Sequence, residues 1–335
     1  MNETVFLVGE KVITLFLILF VGIIARKTNI IDLASTKKLS GLLLNVTQPL
    51  MIITSFQMAY DFEKLKNGLM IFGLSAAIHI FIAAAAFFIY KPIKNGGHKK
   101  VFEMGTIFCN CAFLGYPVLK VIFGGELGIF YGAFYTMFFN MFIWTYGVYL
   151  ITRKDKKTVG ADDPVRPSLG NARPSDEKIR FPVSKIFLNA GMIASVIGII
   201  IFVSGFKIPG VLYDSSKLIG DMTFPLSMLI IGSLISDIKL KALFLTARNY
   251  YYIFMKLVFF PVFIAVVCYL LRLPALLIYI GTLLTAMPSA ANVAIFAESY
   301  NADSKTAAIN VGLSTLLSIG TIPLTIYFLS FIIPI

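Results

Sequence analysis

Two stretches of this sequence carry polar groups where an apolar helix has no use for them. Thr106 to Lys120 reads TIFCNCAFLGYPVLK, and Thr282 to Phe296 reads TLLTAMPSAANVAIF. Each lies in a run apolar enough to cross a bilayer. The first holds Asn110, Cys111, Gly115 and Pro117; the second holds Pro288, Ser289 and Asn292, with proline and asparagine in reversed order. An asparagine at that depth must find partners without water, and a proline lacks an amide donor and frees a carbonyl one turn back. Such a run reads as a helix interrupted at mid-membrane, and paired interruptions in two halves of a chain point to a transporter's binding site. If the two cross at their breaks, the N-terminal half-helix ends offer amide donors and a positive dipole end to an anion, with no buried basic side chain required. Asn110 and Asn292 would add side-chain donors, while Gly115, Ala290 and Ala291 let the backbones touch.

Other polar residues within apolar runs could line the opposite wall. Asn45, Thr47 and Gln48 precede Pro49, and Asn140 sits in TMFFNMFIW. Interhelical hydrogen bonding accounts for Asn45 and Asn310, whereas Gln48 and Asn140 read equally as ligand contacts. Ionisable groups inside a span are costly and hence functional candidates. Lys256 reads as a snorkelling side chain that reaches the cytoplasmic headgroups, or as a charge that attracts an anion or couples transport. His79 reads as a satisfied neutral histidine or as a protonation site. There is no P-loop, no HExxH and no histidine with a spaced carboxylate or cysteine partner, so neither enzyme, cofactor nor metal is expected. A membrane enzyme or a receptor remains a remote class.

The elements that must position these residues follow from composition. Over 335 residues, 58% are hydrophobic and 14% charged, with mean hydropathy +0.85, which excludes an ordinary soluble domain. The net charge of +12 resides largely in short loops, so it speaks for membrane orientation and not for nucleic acid. At roughly 20 apolar residues per span, ten spans are expected. They run near Val5 to Ile24, Leu33 to Phe56, Asn67 to Tyr90, Val101 to Val118, Gly128 to Ile151, Ile186 to Phe206, Leu218 to Ser236, Tyr250 to Leu271, Ala275 to Ala297 and Lys305 to Ile333. The N-terminus reads as a retained first span, not a signal peptide. Placing the basic gaps in the cytoplasm puts both termini outside.

Residues 152–185, with Pro164, Pro167 and Pro174 among dense charges, read as a flexible cytoplasmic linker between repeats 1–151 and 186–335. Thr47, Pro49 and Leu50 recur 176 positions later as Thr223, Pro225 and Leu226, as do Asp61 as Asp237 and Thr106 as Thr282. Five spans per copy, an odd number, require the copies to face opposite ways, an inverted repeat.

NCAFLGYPV, AMPSAANVAIFAESYNAD and STLLSIGTIPL (Ser314 to Leu324) together resemble the auxin efflux carrier family, whose bacterial members include malonate and other organic-acid permeases. The resemblance covers both halves. It implies ten helices in two inverted five-helix repeats, with a scaffold of spans 1, 2, 6 and 7 and a transport domain of spans 3–5 and 8–10. The fourth and ninth spans would cross at their prolines and bind an organic anion, auxin-like or malonate-like, carried by an elevator-type motion. The family's paired asparagines map to Asn110 and Asn292, and its fifth-span polar residue to Asn140. Bile-acid/sodium symporters share the architecture, but no cluster of acidic and hydroxyl groups for sodium is evident. His79 stands in the third span where a carboxylate could serve proton coupling. The expectation is a plasma-membrane secondary transporter of small organic anions, with a cation-coupled importer on the same fold as the alternative and a homodimer left open; efflux is the direction the resemblance implies.

Overall fold

The computed structural model describes residues 2–93, 96–153, 189–236, 247–300 and 302–333, and among them it is all-helical apart from one isolated β-bridge. In the first half, α1 (Asn2–Lys27) precedes α2 (Leu33–Leu42), which passes through a π-turn (Leu43–Thr47) into α3 (Gln48–Ser55). Then come α4 (Phe62–Ile89) and α5 (Gly96–Ile107), followed by a π-turn (Cys111–Gly115) leading into α6 (Tyr116–Ile122). Last is α7 (Glu126–Phe142), joined by a π-turn (Ile143–Gly147) to α8 (Val148–Thr152). The second half holds α9 (Ala190–Ser204), α10 (Gly210–Asp221) and α11 (Thr223–Ser236). After these, α12 (Ala247–Phe254) runs through a π-turn (Met255–Phe259) into α13 (Phe260–Leu270), followed by α14 (Ala275–Ala286), α15 (Ala291–Ser299) and α16 (Ser304–Ile332). Apart from Thr152 and Arg153, the linker expected at 152–185 lies outside the described residues, as does Asp237.

Among the described residues, five helical runs are long and apolar enough to cross a membrane: Phe62–Ile89, Glu126–Thr152, Gly210–Ser236, Ala247–Leu270 and Ser304–Ile332. Cys111–Ile122, Ala190–Ser204 and Ala275–Ala286 are apolar but shorter. Large apolar side chains stay outside on these helices, with Phe88 68% and Phe331 74% exposed. In water such a surface would aggregate; against lipid tails it is at rest.

Local sequence explains where the helices start. Asp32 caps α2 by accepting from the Ser35 amide at 2.6 Å, Asp61 caps α4 through Glu63 N, Asn189 caps α9 through Met192 N, and Asp303 caps α16 through Thr306 N. Prolines explain three of the four described π-turns, all but Ile143–Gly147. Pro49, Pro117 and Pro261 each stand second in the helix that follows a π-turn, and Gln48, Tyr116 and Phe260 donate to carbonyls five residues back. A proline ring clashes with the carbonyl four residues earlier, and one widened turn relieves that clash without ending the helix.

Packing is closest where glycines allow it. A Cβ on Gly22 would collide with the Leu229 backbone and one on Gly232 with the Leu19 carbonyl, so α1 and α11 lie backbone to backbone. Helices α2, α3, α9, α10 and α11 pack with α1 as one set, while α4, α7 and α13 to α16 pack as another. The sets meet where α3 and α9 touch α7, where α1 touches α6 and α16, and where α11 touches α16 and the Cys111–Gly115 turn.

Candidate functional site

Helix α5 stops at Ile107 and α14 at Ala286, and the short extended stretches beyond them lie antiparallel, bridged at Cys109 and Ser289. The Asn110 amide donates to the Pro288 carbonyl at 2.7 Å, and the Ala290 amide donates to the Phe108 carbonyl at 2.9 Å. Backbone that neither helix can satisfy is thus satisfied by the other, as a water-free interior demands.

The first interruption differs in position from the expected one. It falls at Phe108 to Asn110, seven residues before Pro117, which sits buried in α6 behind its π-turn. The break comes from Asn110, whose Oδ1 accepts from Phe113 N at 3.3 Å and starts a new helical segment. Pro117 only widens the turn. Gly115 does serve a close approach, because a Cβ there would meet Leu284 at 2.7 Å. In the second stretch Pro288 stands at the break itself, and α15 begins at Ala291 with Ala290 as an N-cap that has no side-chain oxygen.

Around this bridge the polar groups divide. Ser289 is fully buried and occupied: its hydroxyl donates to Gly105 O at 2.9 Å and meets the Tyr252 hydroxyl, and its amide donates to Ser314 Oγ at 3.1 Å. Cys111 is buried with its sulfur 3.0 Å from that of Cys109. These two candidates are framework groups. In contrast, the Asn110 side-chain NH2 and the whole Asn292 side chain, in the first turn of α15, have no hydrogen-bond partner among the described residues.

Gln48 and Asn140 come together elsewhere. Their amide nitrogens lie 3.9 and 3.7 Å from the point a Cβ on Gly191 would occupy, beside Asn189 Oδ1, where α3, α7 and α9 meet. Gln48 is 6% exposed and its Oε1 has no partner among the described residues. Asn189 is an addition that sequence reasoning missed, although its place before an apolar run is an N-cap signal. Thr47 is not part of this group, since it accepts from Thr223 Oγ1 at 3.0 Å and ties the Leu43–Thr47 π-turn to α11.

His79 is buried, its Nδ1 donating to Ser75 O at 2.7 Å, inside a ring of Phe108, Tyr135, Phe138, Phe139 and Phe142. Lys256 corrects the snorkelling expectation. It is 1% exposed and points inward, donating to Thr106 O at 3.2 Å and Thr285 O at 3.3 Å. The π-turn that contains it sets its direction, a register change that hydropathy cannot show. Asn310, expected to be structural, is fully buried with both amide atoms unpartnered among the described residues.

Two ionic groups lie at other levels. Lys120 reaches Asp221 at 2.8 Å and Lys217 reaches Glu126 at 2.6 Å, joining α6 and α7 to α10. Buried Glu103 pairs with Arg153 at 2.6 Å. Among the described residues no group of three or more His, Cys, Asp or Glu could hold a metal ion.

No curated protein matches the chain. A family model described as Membrane transport protein matches residues 7–326, nearly the whole length. That match, over a chain whose described helices are apolar, shows that the chain belongs to the auxin efflux carrier family of membrane transport proteins.

Proposed function

We propose that the protein is a secondary transporter that moves a small organic anion by alternating access, with the anion held at the crossing of the two interrupted stretches. The observation that carries this reading is that the Asn110 side-chain NH2 and the Asn292 side chain have no hydrogen-bond partner among the described residues, at the two ends of the bridged breaks and by the uncapped start of α15. Asn292 is half-buried, and amide donors kept open beside a helix N-terminus suit a carboxylate.

Ten spans in two inverted repeats form the frame of the proposal, with α5–α6 and α14–α15 as the fourth and ninth. The set of α1, α2, α3 and α9 to α11 acts as scaffold, and the other set carries the crossing past it in an elevator-type motion. Their mutual packing supports that division. Gln48, Asn140 and Asn189 form a polar patch between the sets, which would otherwise be an apolar seam. The ion pairs Lys120–Asp221 and Lys217–Glu126, which join α6 and α7 to α10, also bridge the sets, and the motion must open them. Both termini face outward across the plasma membrane.

The test is binding followed by flux. A thermal-shift panel of mono- and dicarboxylates and indole acids on purified protein should single out one anion class. Radiolabelled uptake of that anion into proteoliposomes should then saturate. Stabilisation by none of the panel, or flux equal to empty vesicles, would refute the assignment.

A further inference from the structure

The crossing leaves two carbonyls without their helical partners. Thr106 and Thr285 are the penultimate residues of α5 and α14, and a continuing helix would pair their oxygens with the amides of Asn110 and Ser289. Those amides are committed elsewhere, Asn110 N to Pro288 O and Ser289 N to Ser314 Oγ. Lys256 Nζ donates to both orphaned oxygens, at 3.2 and 3.3 Å. It is 1% exposed, no acidic side chain pairs with it among the described residues, and the ionisable groups close to its charge are the thiols of Cys109 and Cys111.

Two helix C-termini that converge in a dry interior make a site of negative potential, and they call for a positive charge. We propose that the Lys256 ammonium is the resident cation of the crossing: it fills, from the chain itself, the position a dissolved monovalent cation would otherwise take between Thr106 O and Thr285 O. The negative ends of the half-helices are thereby neutralised while the amide-bearing ends stay free for an anion. The π-turn ahead of Pro261 is what rotates Lys256 into place. One consequence rests on the transport reading above, that anion flux needs no sodium at this position; the placement of the ammonium does not rest on it.

Lys256→Ala removes Cγ, Cδ, Cε and Nζ, which n-propylammonium replaces atom for atom. Melting temperatures of the purified proteins are compared in n-propylammonium chloride, choline chloride and propan-1-ol. The expected result is a fall of about 5 °C for Lys256→Ala in choline, about half of it recovered by n-propylammonium and none by the alcohol, with wild type indifferent to all three. Absence of recovery, or recovery by the alcohol as well, overturns the proposal. Lys256→Met fills the same space without charge and decides the matter if the alanine variant does not purify: it should melt below wild type, and equality with wild type overturns the proposal. These readouts need no substrate, so a failed uptake assay would count against the transport reading and leave the lysine to be judged by its own data. Where uptake is measured, replacing sodium by choline should leave the wild-type rate unchanged, and a rate that collapses overturns the resident-cation assignment.

Discussion

The two interrupted stretches meet as partners in one β-bridge, yet they end their breaks in different ways. At the first, Asn110 turns its own Oδ1 onto the Phe113 amide and so spends part of itself in starting the next segment. At the second, Ala290 has nothing to offer the first turn of α15, and Asn292 stands in that turn without a partner among the described residues. The first break is therefore a capped, largely structural device that keeps one free NH2 group. The second keeps its helix N-terminus open. An anion held between them should depend on both asparagines, but only the first should matter to the fold as well.

Substitutions can break or sharpen that contrast. Asn110→Ala should have the largest combined effect, with anion affinity falling by about 1.5–3 kcal/mol, roughly 10- to 100-fold, for a lost charge-assisted hydrogen bond, and stability falling by about 1 kcal/mol for the lost cap. Titration calorimetry and thermal melts on the same preparation would read both. Asn292→Ala should give the same loss of affinity with an unchanged melting temperature; a matching loss of stability would show that the two breaks are built alike. Ala290→Ser supplies the missing cap, so it should stabilise by about 1 kcal/mol and weaken anion binding several-fold as the hydroxyl competes for the α15 amides. Unaltered affinity would mean that those amides are not the anion's donors. Pro117→Ala should cost under about 1 kcal/mol and leave uptake near normal, because Asn110 and the backbone bonds to Pro288 and Phe108 hold the break. Lys217→Glu, at a partly exposed pair with Glu126, should leave the melting temperature and anion affinity near wild type and alter only uptake, by a few-fold for about 1 kcal/mol.

How far the site could be read from sequence depends on the kind of residue. An asparagine in a lipid-spanning run is costly wherever it points, so Asn110 and Asn292 stood out from composition alone. A serine or cysteine in the same run is cheap, and whether it is open or occupied depends on a neighbour distant in sequence. Ser289 is claimed by Gly105, Tyr252 and Ser314, and Cys111 lies against Cys109. Thr47 is a middle case. The shift that aligned it with Thr223 identified the two as counterparts, but that their hydroxyls meet at 3.0 Å follows from packing between distant segments.

Sequence by itself determined that this chain lives in a membrane and that two of its apolar runs hold residues no plain helix would hold, because hydropathy and the cost of a buried amide act locally. Tertiary structure alone decided that the first interruption lies at Phe108 to Asn110 and not at Pro117, that Lys256 turns inward, and that Gln48 and Asn140 gather with Asn189. Each of those outcomes depends on which backbone groups a second segment can satisfy, and in a water-free interior that partner must come from elsewhere in the fold.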